Sequence, residues 1–398
     1  MNNIAALQDE RVQQFIFEQE HMDEQQLILK GNPVFGVDAK TIAAQVAGRR
    51  KARTKLPLWY QTRGVIYPPS LNLEQSSSQA TGLFKQKILR EILPDSQTKT
   101  GVDLTCGLGI DSFFLGTVFK KFYVVDVNHS LLMMAKWNHQ TLGFTHGEYL
   151  SVPAERFTDD HFIDFIYIDP SRRNQSQKVF KLSECEPDVV SLQDKFLKAA
   201  SMVLIKGSPM LDIQQALREL KHVKSIWIVA VSNECKEVLF LQEAGWMEPP
   251  TITATELLPD GSIKSSFAFT FAQEHEAQSV FSTPQHFLYE PNAALLKAGA
   301  FKWIGAIFTL AKIDRHTHLY TSDHLIENFP GRVFKIEIAN ATHEQVKALQ
   351  HANVFTRNYP LSPEALKKKL KLKDGGDRYV IGYTCQQERY LSIASRIL

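Results

Sequence analysis

Two glycines and two carboxylates in one part of the chain have the types and spacing of a nucleoside-binding site. Gly107 and Gly109 follow a short apolar run and precede a helical pattern, so the chain can turn tightly and approach a ligand. The helix that begins there presents backbone N–H groups without partners. Asp126 ends the next apolar run, 23 residues after Asp103. A carboxylate at that place can accept hydrogen bonds from both hydroxyls of a ribose. These residues predict a nucleoside site at the carboxyl end of a parallel sheet.

Two cofactors with a nucleoside part, NAD and S-adenosylmethionine, are compatible with these features alone. A dinucleotide fingerprint has a third glycine soon after the second, where the helix packs closely and a pyrophosphate binds. Here Gly109 is followed by Ile110, Asp111 and Ser112, and the Asp111 carboxylate would repel a pyrophosphate at the helix N-terminus. S-adenosylmethionine has no phosphate, and its sulfonium and α-amino group suit Asp103 and Asp111. The sequence therefore favours S-adenosylmethionine.

The elements that must position these residues are short apolar runs that alternate with helical patterns. The runs that predict buried strands are residues 102–104, 122–127, 165–168, 202–205 and 226–231. Alternation of this kind predicts an α/β fold with a doubly wound, Rossmann-like parallel sheet covered by helices on both faces. Two further runs, residues 251–257 and 265–271, flank a Pro-Asp-Gly turn and predict an antiparallel hairpin.

The regions on either side of the predicted sheet have other patterns. Residues 1–95 are mainly helical, with Asp38 as the cap of a helix, and they contain a cluster of basic and aromatic residues at 49–63. That cluster is typical either of a single-stranded nucleic acid site or of a helix surface over two core aromatics. After 275 we expect a helix over 292–308 and then a small α/β unit. The predicted domains are 1–95, 96–275, 278–328 and 329–398.

In these motifs and their order, the chain resembles the class I S-adenosylmethionine-dependent methyltransferases. The resemblance implies that the glycine loop meets the methionine part of the cofactor and that Asp126 binds the ribose. By order along the chain, two residues near the end of the third strand, Ala154 and Glu155, would flank the adenine. The implied cofactor residues are Asp103, Thr105, Cys106, Gly107, Gly109, Asp111, Asp126, Ala154 and Glu155.

Asp169-Pro170-Ser171-Arg172-Arg173 follows the run 165–168, which corresponds to the fourth strand of the family that the chain resembles. This fold places the substrate there. Members that methylate amino groups have Asn/Asp-Pro-Pro-aromatic there, and the acid or amide accepts a hydrogen bond from the target amine. In this chain Ser171-Arg172 replaces the last two positions. The resemblance implies that Asp169 accepts a hydrogen bond from the target N–H, that Pro170 shapes the loop and that Arg172 binds the substrate. Ser171 is a further candidate of the catalytic loop, and Arg173 a candidate for contact with RNA.

The form Asp-Pro-x-Arg also resembles the RNA 5-methyluridine methyltransferases. Those enzymes need a cysteine nucleophile after the fifth strand, where this chain has Lys206-Gly207-Ser208-Pro209. Cys235 follows the run 226–231, which corresponds to the sixth strand of the family, and its neighbour Lys236 would lower the pKa of the thiol. We interpret Cys235 as a buried, inert thiol and not as a nucleophile.

Five lysines within seven residues, near the C-terminal end, form a dense cationic patch. They are Lys367, Lys368, Lys369, Lys371 and Lys373. Such a patch is typical of phosphate binding, or else of a solvated helix face. The surrounding Arg-Asn-Tyr-Pro and Lys-Asp-Gly-Gly elements resemble a THUMP-like C-terminal domain that accompanies a group of bacterial class I methyltransferases, behind a small ferredoxin-like domain. The resemblance implies an RNA substrate, tRNA or rRNA.

The composition excludes other classes of protein. Hydrophobic residues make up 44% and charged residues 22% of 398 residues, with a net charge of +2, as in globular proteins. No apolar run approaches the roughly 18 residues of a membrane span, and the N-terminus has no signal-peptide pattern. The four cysteines have no metal or redox spacing. We expect a cytoplasmic, metal-free methyltransferase that transfers a methyl group directly to an RNA base nitrogen. The alternatives are a small-molecule or protein methyltransferase and an inactive RNA-binding relative.

Overall fold

The structure of the protein is a computed structural model, which describes residues 2–29, 31–68, 70–157, 163–172 and 181–398. The described chain forms two compact units. The first comprises residues 1–232, 236–250 and 257–264, and the second comprises 233–235, 251–256 and 265–398. The four-domain division expected from the sequence stays a prediction.

The first unit begins with helices: α1 (Asn2–Leu7), α2 (Glu10–Glu18), α3 (Glu24–Leu29), α4 (Ala39–Lys55), α5 (Pro57–Gln61), α6 (Ser70–Gln75) and α7 (Gln79–Ile92). Side chains satisfy the N-terminal N–H groups of the two longest helices. Asp38 accepts a hydrogen bond from the backbone of Thr41 at the start of α4, as the sequence predicts. Ser78 and Thr81 form a capping box at the start of α7. These caps fix where each helix begins.

The structure buries two members of the basic and aromatic cluster at 49–63, Arg49 and Trp59. Arg49 is only 8% exposed; it pairs with Glu20 and lies over the ring of Tyr60. Trp59 is buried against Phe113 of the sheet domain, with ring centroids 5.1 Å apart. Arg49 and Trp59 are therefore structural, whereas Lys51 and Arg53 of the same cluster are exposed. Both interpretations of the cluster stay predictions.

The sheet of the first unit contains strands in the order β8-β9-β7-β4-β1-β2-β3. Its strands are β1 (Thr100–Asp103), β2 (Lys121–Val125), β3 (Gly147–Leu150), β4 (Phe165–Ile168), β7 (Met202–Gly207), β8 (Val223–Val231) and β9 (Glu234–Glu243), and a small separate pair is β5 (Ser171–Arg172) and β6 (Cys185–Glu186). The connecting helices are α8 (Ile110–Gly116), α9 (His129–Thr141), α10 (Ala154–Phe157), α11 (Val189–Ala199) and α12 (Ile213–Glu219). Short 3₁₀ turns lie at Ser96–Thr98 and Leu182–Glu184.

Strands β3, β2, β1, β4 and β7 run parallel to one another. Every residue of β4 is buried, because helices cover both faces of the sheet. This confirms the predicted α/β fold with a parallel-rich sheet. The sequence pattern did not predict β9, which pairs antiparallel with β7. It follows β8 after a turn in which Ser232 and Asn233 have φ angles of 51° and 62°, an unusual conformation that an apolar-run pattern does not signal.

The neighbouring strands β10 (Thr251–Leu257) and β11 (Ile263–Phe269) form the predicted hairpin. Residues 251–256 and 265–269 of its strands belong to the second unit, and residues 257–264 belong to the first. After α13 (Phe271–Glu276), a second sheet has the order β13-β14-β12-β15-β18-β17-β16. Its strands are β12 (Phe287–Pro291), β13 (Ala311–Lys312), β14 (Tyr320–Ser322), β15 (Gly331–Ile338), β16 (Asn353–Arg357), β17 (Arg378–Cys385) and β18 (Glu388–Arg396). Its helices are α14 (Ala293–Ala298), α15 (Trp303–Ile307), α16 (His343–Ala348) and α17 (Pro363–Leu370).

The predicted helix over 292–308 is wrong, because the chain there forms two short helices. Gly299 ends α14 with a φ of 81°, the left-handed conformation that stops a helix. The predicted order of strand, helix, strand, helix and strand from β15 to β17 is confirmed. The pattern did not predict β18, which lies between β15 and β17 in the sheet. No helix of the described chain is long and apolar enough to cross a membrane.

Candidate active site

A cavity of about 680 Å³ lies at the carboxyl ends of β1, β2 and β4 in the first unit, a volume in the range that takes a ligand of drug-like size. It brings together most of the residues that the sequence predicts for the cofactor. They are Asp103, Thr105, Cys106, Gly107, Asp111, Asp126, Ala154 and Glu155. Two residues of the predicted catalytic loop, Asp169 and Ser171, also line it. Of the predicted cofactor residues, only Gly109 is not part of the lining.

The two glycines of the loop have different roles. Gly107 has a φ of 53°, and a Cβ atom added there would meet nothing within 4 Å, so its backbone borders open space in the cavity. Gly109 has a φ of 77°, and an added Cβ would lie 2.5 Å from Nε2 of His139. Gly107 therefore leaves room for a ligand, whereas Gly109 lets α8 pack closely against α9.

His139 holds the glycine loop from behind as a neutral side chain. Burial lowers its pKa to about 4. Its Nε2 lies 2.7 Å from the carbonyl oxygen of Gly109 and its Nδ1 lies 2.8 Å from the hydroxyl of Tyr149. Because a carbonyl only accepts, Nε2 donates to Gly109 and the Tyr149 hydroxyl donates to Nδ1.

Asp126 follows β2 and is held by the backbone on both sides. Its Oδ2 accepts a hydrogen bond of 2.7 Å from the N–H of Gly107, and its Oδ1 accepts one of 2.7 Å from the N–H of Asn128. Each carboxylate oxygen has two lone pairs, so each can accept one more hydrogen bond from a ligand. The arrangement fits a pair of ribose hydroxyls.

Asp103 is a buried carboxyl group at the inner end of the cavity, and only 1% of the residue is exposed. Burial raises its pKa to about 7, although hydrogen bonds from the Ser112 hydroxyl and the Thr105 N–H favour the charged form. The hydroxyl of Thr105 accepts a hydrogen bond of 2.6 Å from the N–H of Asp169. This bond ties the loop after β1 to the loop after β4.

Asp169 lies where two cavities meet. It lines the 680 Å³ cavity, which we call the cofactor cavity, and a neighbouring second cavity of about 460 Å³. Pro170 and Ser171 also line the second cavity. Its Oδ2 accepts a hydrogen bond of 2.6 Å from Nζ of Lys206. Within the described residues, Oδ1 has no hydrogen-bond partner, and 38% of the side chain is exposed. A bound substrate could therefore donate a hydrogen bond to this oxygen.

The remaining residues of the predicted catalytic loop are only partly described. Ser171 and Arg172 form β5, whose backbone pairs with Glu186 and Cys185 of β6. Arg173 lies outside the described residues.

Asp111 belongs to a buried chain of opposite charges. Its Oδ2 accepts hydrogen bonds of 2.6 Å from the hydroxyls of Ser77 and Tyr167. Lys85, which is fully buried, lies 3.0 Å from Oδ1 of Asp111 and 2.7 Å from Oε1 of Glu237. Lys206 completes the chain, 3.7 Å from Oδ2 of Asp111. We call Lys85, Asp111, Lys206 and Glu237 the buried ion network.

The charges of the network determine the protonation of its members. Burial alone would raise the pKa of Asp111, but Lys85 and Lys206 lower it below its ordinary value. Burial would likewise lower the pKa of Lys206, but Asp169, Asp111 and Glu237 raise it. Asp111 is therefore a carboxylate and Lys206 an ammonium group at neutral pH, and Asp169 faces a permanent cation.

Sequence reasoning missed Ser77, Tyr167, Lys85, Lys206 and Glu237 as parts of the site. One signal was present, since Lys206 interrupts the end of an otherwise apolar strand pattern. Lys85 gave no such signal, because a lysine on a helix is ordinarily exposed.

The cysteines that line these cavities are poor nucleophiles. Cys106 is buried in the cofactor cavity, and burial raises its pKa well above the ordinary value. Cys185 is buried beside the second cavity. Cys235 is only partly buried, which corrects the buried thiol expected from the sequence, and it is not among the lining residues of either cavity. Among the residues placed by the structure, no group of three or more His, Cys, Asp or Glu could hold a metal ion.

The lysine patch of the second unit is mostly solvated. Lys367 pairs with Asp374 at 2.7 Å, while Leu366 and Leu370 bury the opposite face of α17. Lys371 ends the helix with a φ of 55°. The exposed members of the patch are Lys368, Lys369, Lys371 and Lys373. A single carboxylate therefore leaves most of the patch charge available to an anion.

Comparisons with known proteins extend these observations. A ferredoxin-like domain matches residues 287–330, and a THUMP domain-like family matches residues 331–396. A solved structure from Porphyromonas gingivalis W83, described as a methyltransferase candidate, is 29% identical, with a TM-score of 0.85 over 97% of this chain and 98% of that chain. Two uncharacterized S-adenosylmethionine-dependent methyltransferases from two strains of Mycobacterium tuberculosis are each 21% identical over 305 residues, covering 72% of this chain and 81% of theirs.

The fold, the cavity and these likenesses together define a class I S-adenosylmethionine-dependent methyltransferase. The chain carries a ferredoxin-like domain and then a THUMP-like domain toward its C-terminal end. The residues present fit the cofactor, because Gly107 leaves open space beside the carboxylate of Asp126.

We predict that Lys85→Met destabilises the protein strongly. The substitution leaves Glu237 buried without its cation, which costs about 3–5 kcal/mol, and thermal unfolding with denaturant titration would measure it. Lys87→Met on the exposed side of the same helix is the matched control and should change stability by less than about 0.5 kcal/mol. The double variant Lys85→Met/Glu237→Leu should recover part of the loss. Equal stability of the two single variants would contradict the role of the network.

We also predict a pH-dependent stabilisation by Asp103→Asn in the protein without cofactor. Because the pKa of Asp103 in the folded protein, about 7, exceeds its ordinary value of 3.8, its contribution to stability is full below pH 3.8 and is lost as pH rises through 7. The melting temperature of the variant relative to the parent should therefore rise from pH 5 to pH 8. Asp194→Asn is the control, because Lys221 holds the pKa of Asp194 below its ordinary value, and its effect should be constant over this range. A constant difference for Asp103→Asn would show that this carboxyl does not titrate near pH 7.

Proposed function

We propose that this methyltransferase acts on RNA and transfers the methyl group directly to a base nitrogen. The observation that carries the proposal is Asp169, whose carboxylate lies between the cofactor cavity and the second cavity with an acceptor oxygen available. An acceptor at this place can bind the N–H of a target base and align its nitrogen with the methyl donor.

In this proposal the cofactor cavity divides into three parts. Asp126 binds the ribose hydroxyls, and Ala154 and Glu155 flank the adenine. The loop from Asp103 to Gly107 holds the methionine part, where the carboxyl of Asp103 meets the α-amino group. Bound S-adenosylmethionine supplies a methyl group that is already activated by its sulfonium. The protein has only to align the target, exclude water and stabilise the change of charge.

Lys206 has a positioning role in the same scheme. Its ammonium group binds Oδ2 of Asp169 and holds the carboxylate in one orientation, which leaves Oδ1 to accept from the substrate. Pro170 shapes the loop behind it, and Ser171 and Arg172 continue toward the substrate. No cysteine is needed for this direct transfer. The covalent route of the 5-methyluridine enzymes is less well supported, since Cys106 is a neutral thiol and Cys235 lines neither cavity.

The RNA part of the proposal rests on the THUMP-like domain and the lysine patch of α17. THUMP domains help RNA-modifying enzymes to grip tRNA or rRNA, and an array of exposed lysines binds phosphates without reading sequence. We propose that Lys367, Lys368, Lys369, Lys371 and Lys373, together with Arg173, contribute to this binding. We also propose that the protein acts in the cytoplasm, in line with its four free cysteines.

We predict that Asp126→Ala weakens the binding of S-adenosylmethionine about tenfold or more, because it removes charge-assisted hydrogen bonds to the ribose. Calorimetry on the parent and the variant measures the loss. Since Asp126 also holds the Gly107 N–H, a ribose-specific control is needed: the parent should bind S-adenosylhomocysteine more tightly than its 2′-deoxyribose analogue, and the variant should bind both alike. Discrimination that persists in the variant would reject the ribose assignment.

We predict that Asp169→Ala abolishes methyl transfer while the affinity for S-adenosylmethionine stays within a few-fold of the parent. The assay follows labelled methyl groups from the cofactor into total RNA of a strain that lacks this gene, and mass spectrometry of nucleosides identifies the product. A methylated base nitrogen supports the proposal. Transfer only to a small molecule or a protein, or cofactor binding without any transfer, would replace it. Full activity of Asp169→Ala would show that another residue accepts the target hydrogen.

A further inference from the structure

The second cavity beside Asp169 has a strongly basic lining. Three lysines, Lys181, Lys206 and Lys236, line it, and Asp169 is the one carboxylate among its described lining residues. Its other described lining residues are uncharged. Asp169 pairs with Lys206 at 2.6 Å, and lysines outnumber carboxylates among the described lining residues.

Two of these lysines, Lys206 and Lys236, also act on a further lysine, Lys55. Nζ of Lys55 donates hydrogen bonds of 2.7 Å to the backbone oxygens of Leu73 and Glu74. Burial and then the charges of Lys206 and Lys236 lower the pKa of Lys55 to about 8. In the described part of the chain, no carboxylate lies within ion-pair distance of Lys181.

The second cavity adjoins the place where we propose that the target base binds. Its volume is about 460 Å³, and it shares Gln75, Asp169 and Ser171 with the cofactor cavity. A nucleotide whose base reaches Oδ1 of Asp169 would therefore have its sugar and phosphate at the edge of this basic cavity. Lysines bind phosphate oxygens as point charges at short range.

We propose that this cavity binds a backbone phosphate of the RNA strand next to the target nucleotide, with Lys181 and Lys236 as its ligands. The inference rests on the proposed function, because it takes Asp169 as the place of methyl transfer. It adds a specificity element: the enzyme selects a nucleotide within a phosphodiester chain and not a free base or nucleoside.

The test compares Lys181→Gln/Lys236→Gln with the matched control Lys40→Gln/Lys120→Gln, which replaces two exposed lysines outside both cavities. The probe for binding is a fluorescent single-stranded RNA of random sequence, with S-adenosylhomocysteine present and the salt concentration varied. At about 0.7 per phosphate contact, the slope of log affinity against log salt should fall by up to about 1.4 in the cavity variant. The control variant should keep the parent slope.

Methyl transfer separates this site from the lysine patch of the second unit. With total RNA of the gene-deletion strain as substrate, the cavity variant should raise KM about tenfold while its affinity for S-adenosylmethionine and its melting temperature match the parent. Inorganic phosphate should inhibit the parent competitively with RNA and inhibit the cavity variant less. The single variants Lys181→Gln and Lys236→Gln should each show part of these effects.

The outcomes also separate this inference from the proposed function. If the parent methylates RNA and the cavity variant has the same KM and salt slope, the phosphate site is wrong and the proposed function stands. If the parent methylates no RNA, both the proposed function and the phosphate inference fail. If a polyglutamate peptide competes as strongly as RNA of equal charge, only the phosphate inference fails.

Discussion

The buried ion network is the interaction on which the geometry of the candidate site depends. Lys85 comes from α7, Asp111 from α8, Glu237 from β9 and Lys206 from β7. In a low-dielectric interior, no member can lose its partners without leaving an uncompensated charge. The helix before the sheet, the helix after the glycine loop and two strands are therefore held in one arrangement, and the cofactor cavity lies against it.

The same network also holds Asp169 of the catalytic loop in position. Tyr167 and Ser77 donate to Asp111, and Lys206 binds both Ser77 and Asp169. Asp169 is thus oriented by a cation that is itself fixed by buried carboxylates. A buried ion pair is not by itself a source of stability, because desolvation offsets its attraction. Its value here is directional, since a catalytic carboxylate must point at its target within a narrow range of angles.

The two cavities that meet at Asp169 have walls of opposite charge. On the cofactor side, Asp103 and Asp126 face the sites that we assign to the amino group and the ribose hydroxyls, and the pKa of Asp103 near 7 makes its charge responsive to a bound cation. On the other side of Asp169, lysines dominate the wall of the second cavity. A positively charged cofactor and a polyanionic substrate would thus each meet the opposite charge, with Asp169 at the boundary between them.

The sequence by itself determined the local parts of this protein. Apolar runs specified the parallel strands β1, β2, β4 and β7, because strands buried on both faces must be apolar throughout. The parallel strand β3 was not among these runs, since none of its residues is fully buried. The glycine loop, Asp126 and Asp169 were found because they end such strands, and carboxyl ends of neighbouring parallel strands meet at one edge. Tertiary structure alone decided the rest. Lys85 and Glu237 are 152 residues apart in the chain, and their pairing depends on how α7 packs on the sheet. The antiparallel strand β9, the burial of Arg49 and the basic cavity beside Asp169 depend equally on contacts between distant segments, which no local pattern of residues contains.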